Sequence, residues 1–422
     1  MVKLLIIADD FTGAMDTGVQ FAARGASTRV VTDPLYDFTR APTDTQVLVL
    51  DAETRHLTPE DAYAVVFRAV KAAQRAEFSY VYKKTDSALR GNVGSELAAV
   101  LDATGSTQIP FIPAFPAMNR ITKNGIHYID GVPVADSVFG SDPFEPVRFS
   151  NVRSILAEQT NKPVTVCTKN DASGWNEPGI LVFDAQSNED LHDISHGLGL
   201  EWLRVSAGCA GFAPELAALL KLDGQTPGIP ALIPALFVSC GSVNPVTRSQ
   251  LATAEENGFE RIRLSMHQKL SPMWLDSENC RQTVNDWLER AQKHDRLILD
   301  TNDPDGSFET RQFMELNNLT MQDVRVKIST ALGRVMKMLL DGGLNATLMC
   351  TGGDTLLALM KAVQVSELTP VCELDPGVVL TYFVYHNRTY HIISKSGGFG
   401  APDLLCRLAA LIGTGEREEL SC

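Results

Sequence analysis

Short hydrophobic runs alternate along this chain with longer amphipathic stretches, and four of the runs stop abruptly in small, polar and acidic residues. The segments are KLLIIADDFTGAMDTG, FSYVYKKTDSALRGNVGSEL, ATLMCTGGDTLLAL and YHIISKSGGFGAPDLL. In each, a Val/Ile/Leu/Tyr-rich run reads as a buried strand, and Gly, Asp, Ser or Thr marks a turn into a helix. Ligands of open α/β sheets bind outside the carboxyl ends of the strands, where helix N-termini aim free N–H groups at anions. Two such turns near each end of the chain therefore predict two ligand sites facing one another.

The pattern predicts strands over Val2–Ala8, Val47–Leu50, Ser79–Lys83 and Gln108–Pro113, with a helix begun near Thr12. A second helix opens at Thr58-Pro59-Glu60-Asp61, an N-cap followed by proline at the first helical position and acids in the first turn. Residues 114–150 carry little periodicity and read as a long binding loop or lid. The alternation returns weakly over 151–221, and the Pro/Gly-rich 223–235 reads as a linker. Beyond it come strands Leu236–Ser239, Arg296–Asp300 and Ala346–Cys350, then strands near Val378–Tyr385 and Tyr390–Ser394. Helices are expected from about Pro245, Asp323, Asp354 and Pro402. The expected architecture is two α/β domains with mostly parallel sheets and a ligand cleft between them, 1–222 and 236–422 joined by the linker 223–235.

Composition narrows the class. The 422 residues hold 37 Lys plus Arg against 51 Asp plus Glu, a formal charge of −14, which disfavours a nucleic-acid or anionic-membrane binder. An anionic small substrate stays open, because a few local cations suffice. The eight cysteines show no CxxC pair and no Cys/His clustering at zinc spacing, so reduced thiols are expected. The N-terminus lacks a signal h-region and no apolar run is long enough for a membrane helix, so a cytoplasmic location is expected. A homodimer is allowed and not required.

Candidate chemistry follows the four turns. Asp9 and Asp10 are adjacent carboxylates that repel unless a cation, a metal or hydroxyl donors lie nearby. Kinases use such groups to orient or deprotonate a substrate hydroxyl, whereas a helix cap needs only one of them. Lys83, Lys84, Thr85 and Asp86, followed by Arg90, can hold a carboxylate and several alcohols together. Arg55 offers a fork suited to a carboxylate, and His127 in the long loop reads as structural. In the second half, Ser242, then Gly352, Gly353, Asp354 and Thr355, then Gly397 and Gly398 mark glycine- and hydroxyl-rich helix starts suited to a polyphosphate, with Lys395 able to neutralise part of it. There is no GxxxxGK[ST] and no complete GxGxxG, so neither a P-loop nor a Rossmann dinucleotide site is expected.

Together, ADDFTGAMDTG, the Thr54-Arg55 pair, KKTDSALRG and PAFPAMNR…NG, then CGS…T..Q, TGGDT and KSGGFG, resemble the four-carbon acid sugar kinase family over nearly the whole chain. The resemblance implies an N-terminal sugar-acid-binding domain and a C-terminal nucleotide-binding domain. It also implies ATP-dependent phosphorylation of the terminal hydroxyl of threonate, erythronate or 3-oxo-tetronate, and DTGVQFA looks most like the D-threonate kinase branch. By resemblance, Asp9, Asp10, Arg55 and Lys83–Asp86 contact the substrate, and Ser242, Gly352–Thr355, Gly397 and Gly398 contact ATP. Asp10 and Asp86 are the candidate catalytic carboxylates, and Asp354 the candidate ligand for Mg²⁺. A sugar-acid sensor without turnover remains the rival, though a pure anion binder gains nothing from paired carboxylates.

Overall fold

A computed structural model describes residues 4–142, 144–169, 175–222, 224–304 and 308–414. Residues 2 and 3 of the expected first strand, and Asp223 at the head of the expected linker, lie outside the described residues. The chain divides into two compact units, Met1–Pro227 and Gly228–Cys422.

The first unit opens with β1 (Leu4–Ala8), α1 (Phe11–Ala22), β2 (Thr28–Val31), β3 (Val47–Asp51), α2 (Pro59–Arg75), β4 (Tyr80–Lys84), α3 (Val93–Thr104) and β5 (Gln108–Ile112). It continues through β6 (Arg120–Lys123), β7 (Ile126–Ile129), β8 (Val132–Pro133), α4 (Val152–Ala157), β9 (Val164–Cys167), β10 (Gly179–Phe183), α5 (Asn188–Trp202), β11 (Val205–Gly208) and α6 (Ala213–Leu219). Its main sheet runs β2-β3-β1-β4-β11-β5-β10-β9, and every neighbouring pair described is parallel. Leu4–Ala8 and Val47–Asp51 are buried throughout, as strands covered on both faces must be. The chain leaves β1 for β2 and β3 on one side and then crosses to β4 on the other. The carboxyl end of β1 is therefore a topological switch point, where α/β sheets leave a crevice.

The helices start where local chemistry demands. Asp10 caps α1 by accepting from the Gly13 N–H at 2.8 Å, and Thr58 caps α2 with Pro59 at the first helical position. The stretch 114–150, expected as a loop, instead contains the antiparallel sheet β6-β7-β8. Its two-residue turns are Asn124-Gly125 and Asp130-Gly131, all four at positive φ. That is the turn chemistry whose twist matches paired strands, and it was present in the sequence as NG and DG.

The second unit comprises β12 (Leu236–Cys240), α7 (Pro245–Glu256), β13 (Glu260–Arg263), α8 (Met266–Leu270), α9 (Pro272–Leu275), α10 (Glu278–Lys293), β14 (Arg296–Asp300) and α11 (Phe308–Leu316). Then follow α12 (Met321–Asp341), β15 (Thr347–Thr351), α13 (Gly353–Val363), β16 (Glu367–Asp375), β17 (Val378–Tyr385), β18 (Arg388–Lys395) and α14 (Leu404–Thr414). Within this unit the strand order is β13-β14-β12-β15-β18-β17-β16, parallel up to β18 and antiparallel beyond. Strand β16 escaped the hydrophobic pattern because Pro370 interrupts it and register shifts bracket its bulged stretch. Among the described residues, no helix is long and apolar enough to cross a membrane.

Candidate functional site

Register assembles the first cluster. Ala8 pairs with Asp51 on one side and with Lys84 on the other, so the residues just past three adjacent strand ends come together. These are Asp9-Asp10, Ala52–Arg55 and Thr85-Asp86. Two backbone hydrogen bonds tie the loops, because the N–H groups of Thr54 and Arg55 both donate to the Asp9 carbonyl at 3.0 and 3.1 Å.

Arg55 is the cation that the paired carboxylates require. Its Nε and Nη2 each lie 2.7 Å from Asp9 Oδ2, its Nη1 lies 2.6 Å from Asp10 Oδ2, and Nη2 is 3.7 Å from Asp86 Oδ1. Asp86 is held further by Arg90, through Nε to Oδ2 at 2.9 Å and Nη2 to Oδ1 at 3.1 Å, and by the N–H groups of Ala88 and Arg90. Burial by itself would raise both carboxyl pKa values. For Asp9, Arg55, Lys84 and Lys83 outweigh it and hold the carboxyl below its ordinary range; for Asp86, Arg90 and Arg55 hold it well below. Asp9 Oδ1 is buried with no hydrogen-bond partner among the described residues, an acceptor left for a donor from a ligand.

The two lysines do not act as a pair. Successive strand residues point to opposite faces, and Lys83 Nζ turns to Glu96 of α3 at 3.0 Å and to the Lys84 carbonyl at 2.7 Å. Lys84 lies on the α1 side, where a methyl group on Gly13 would come within 2.7 Å of its Nζ and 2.6 Å of Asp10 Oδ1. Lys83 is fully buried, with its ammonium on Glu96 and a backbone carbonyl, whereas the sequence suggested a direct grip on a substrate carboxylate. Sequence reading missed Glu96, whose carboxyl burial pushes up in pKa despite Lys83 and which also accepts from the Thr54 hydroxyl. An acid buried in the first turns of a helix facing a strand lysine was the available signal.

His127 is structural, as expected. Its Nε2 meets the Ser87 carbonyl at 2.8 Å and its Nδ1 meets Thr122 Oγ1 at 3.0 Å, while burial pulls its pKa down to about 4. A cavity of about 450 Å³ opens beside the cluster, with Arg55, His56, Arg90, Asn92, Glu145 and Arg148 among its walls. Asn92 shapes its floor by donating to the Thr54 and Leu57 carbonyls at 2.8 and 2.9 Å.

In the second unit three loops converge at the carboxyl ends of β12, β15 and β18. Gly241–Asn244 leads into α7, with Asn244 Oδ1 accepting from the Val246 N–H at 2.9 Å. Gly352, at φ 92°, leads into α13, and its N–H donates to the Lys395 carbonyl at 2.9 Å. Gly397 lies so close to the first loop that a Cβ there would sit 3.0 Å from Ser242 Oγ. Thr247 joins the loops by donating to the Gly397 carbonyl at 2.8 Å, and Gln250 Nε2 reaches the carbonyls of Phe399, Gly400 and Ala401. The structure thus brings Ser242, Gly352–Thr355, Gly397 and Gly398 to the N-termini of two helices. Thr247 and Gln250, both buried on α7, complete the frame.

Asp354 does not offer Mg²⁺ a free carboxylate. Arg325 of α12 takes both oxygens, Nε to Oδ2 at 2.6 Å and Nη2 to Oδ1 at 2.9 Å. The donor set at this position therefore does not fit a protein-held cation.

Lys395 is buried and donates to Thr247 Oγ1 at 3.1 Å and to the carbonyls of Ser396 and Gly397 at 3.0 and 3.1 Å. Burial lowers its pKa from 10.5 to about 8. Between those values the unfolded chain binds the proton that the folded chain has released, so wild-type stability rises with pH relative to Lys395→Met across that window. Denaturant titrations of both proteins from pH 7 to 10.5 check this; a pH-independent difference sinks it.

The comparisons with known proteins agree with this division. Residues 4–216 match the family described as sugar-binding N-terminal domain, and residues 237–405 match the nucleotide-binding C-terminal domain. The chain is 29% identical to a D-threonate kinase of Salmonella typhimurium, covering 96% of this chain and 97% of that protein. It is also 29% identical to a D-erythronate kinase of Heliobacterium modesticaldum, covering 96% of each. A 3-oxo-tetronate kinase of Pectobacterium atrosepticum is 24% identical over 96% of this chain and 98% of its own. A crystal structure from Salmonella typhimurium LT2 superposes with a TM-score of 0.81 at 19% identity, covering 97% of this chain and 99% of that one. Haemophilus influenzae protein HI1011 superposes with 0.75 at 18%, covering 97% and 100%. At those identities the two structures speak to the fold alone.

Proposed function

The chain belongs to the four-carbon acid sugar kinase family, with its sugar-binding and nucleotide-binding domains, and from that premise we propose that it phosphorylates the 4-hydroxyl of D-threonate with ATP. The enzyme class, a sugar-acid kinase, follows from the named relatives; the choice of D-threonate rests on DTGVQFA following the paired carboxylates. The observation that carries the reading is the Arg55-centred carboxylate cluster at the β1 switch point, whose Arg55 and Arg90 also line a cavity of about 450 Å³.

In this reading Asp9 and Asp10 accept hydrogen bonds from the substrate hydroxyls, and Asp10 orients the attacking one. Asp10 is the suitable base because its carboxylate keeps 20% exposure, whereas both Asp86 oxygens are locked by Arg90 and two N–H groups. Arg148, exposed on the cavity wall and 3.8 Å from Glu158, supplies positive charge for the substrate carboxylate, since the Arg90 fork is taken up by Asp86 and Asp142. Ser242, Gly352–Thr355, Gly397 and Gly398 hold the nucleotide phosphates at the two helix N-termini. Mg²⁺ enters only as the counter-ion that ATP carries, neutralising charge on the phosphates.

The deciding experiment is ADP release from ATP with D-threonate, L-threonate, D-erythronate and 3-oxo-tetronate as acceptors. D-threonate is expected to give the highest kcat/KM. A preference for another acid moves the substrate while keeping the class, and no turnover with any of them overturns the kinase reading.

A further inference from the structure

Two histidines one helical turn apart on α5, His192 and His196, face Glu215 of α6 on the outside of the first unit. One nitrogen from each imidazole and one Glu215 oxygen lie within 4.8 Å of one another. We propose that this is a binding site for a Zn²⁺-class divalent ion, which fastens α5 to α6.

The donor set selects the ion. Two imidazoles and a carboxylate suit zinc, nickel or copper, whereas Mg²⁺ and Ca²⁺ take oxygen ligands. Zn–N and Zn–O bonds of about 2.0–2.2 Å keep the ligands of one ion within roughly 4.2 Å of each other. Small rotations of the side chains close the remaining gap, and both histidines are exposed enough to make them.

The surroundings prepare the ligands. His196 Nδ1 lies 3.0 Å from the His192 carbonyl, which can only accept, so Nδ1 carries the proton and Nε2 presents its lone pair. Such an N–H to carbonyl bond is the usual outer support of a metal-bound histidine. His192 Nδ1 lies 3.1 Å from Glu215 Oε2, and the two rings are 4.0 Å apart between centroids. Beneath them Ser195 is fully buried, its hydroxyl 2.8 Å from the His192 carbonyl, 3.2 Å from His196 Nδ1 and 3.5 Å from Glu215 Oε2. A buried hydroxyl touching all three residues fixes their spacing.

The position gives the ion a mechanical role. Helix α5 packs against α6, and α6 packs against α1, whose cap is Asp10. The backbone of α5 departs from helical geometry at Gly199, just after the pair, so a cross-link at 192–196 and 215 anchors the straight segment before the kink. The sequence reading looked for cysteine and Cys/His clusters and did not weigh the HDISH pair.

The test uses tag-free, chelator-treated full-length protein titrated with Zn²⁺ by calorimetry and with Co²⁺ by absorption. Wild type is expected to bind one Zn²⁺ at its tightest site and to gain thermal stability, with no response to Mg²⁺ at equal concentration. His192→Gln and His196→Gln should each weaken Zn²⁺ by at least about tenfold, Glu215→Gln should weaken it too, and the double histidine variant should lose the thermal shift. The Co²⁺ complex should show visible ligand-field bands without a thiolate charge-transfer band, which separates this site from the cysteines. Zn²⁺ binding of equal stoichiometry and affinity in the double variant, a thiolate band, or no binding by wild type overturns the proposal.

Discussion

Replacing Arg55 with alanine is expected to destabilise the first unit by about 3–5 kcal/mol and to abolish turnover, because one guanidinium compensates three carboxylates. Removing one partner of a buried ion cluster leaves the others charged and unpaired, which costs far more than the cluster contributes as a whole. The sign with pH is fixed. Asp9 and Asp86 have depressed pKa values in the folded state, so their contribution is present above the ordinary carboxylate pKa of about 4 and is lost as pH falls below it. Without Arg55 the remaining carboxylates repel, so the deficit against wild type should be largest at neutral pH and shrink toward pH 4. Asp9→Asn in the Arg55→Ala background should recover part of the loss, a coupling that a double-mutant cycle measures. The geometry also changes what Arg55 is expected to read. Its fork is taken up by protein carboxylates, so Arg55→Ala should impair threonate and the neutral alditol threitol alike. Chemical denaturation across pH, with kinetics on both acceptors, checks the prediction; normal stability together with a loss confined to threonate would assign Arg55 to the substrate carboxylate instead.

Asp10→Asn should lower kcat roughly 10²–10⁴-fold while leaving ATP affinity near wild type. An asparagine oxygen still accepts from the Gly13 N–H, so the α1 cap survives, and although the ion pair with Arg55 weakens, Asp9 and Asp86 still hold that guanidinium, so the larger loss falls on the chemistry. Asp86→Asn is the contrast. It breaks the bidentate contact with Arg90, so it should reduce stability as well as rate. Single-turnover kinetics, nucleotide binding and thermal melts on both variants separate the two cases. A near-normal kcat in Asp10→Asn removes that residue from the transfer step.

The sequence showed clearly those features whose causes are local. Thr58-Pro59 announced α2, the apolar run before Asp9 announced β1, and each glycine-hydroxyl turn announced a helix start in the second half. Local signals were also available and passed over, as with Asn124-Gly125 and Asp130-Gly131, which make paired strands of a stretch read as loop. His192 and His196 are likewise one turn apart, and Glu215 from the next helix brings a carboxylate oxygen to the pair.

By itself, then, the sequence determined the alternating α/β plan and the chemistry present at each strand end, because periodicity, caps and turns act over a few residues. Only the tertiary structure decided the partners. Strand register set Asp9, Arg55 and Asp86 side by side. Strand pleating sent Lys83 inward to Glu96 and left Lys84 beside α1. Helix packing gave Asp354 to Arg325. Each of these pairings joins different elements of the fold, and a carboxylate's pKa and reach depend on which cation folding places beside it.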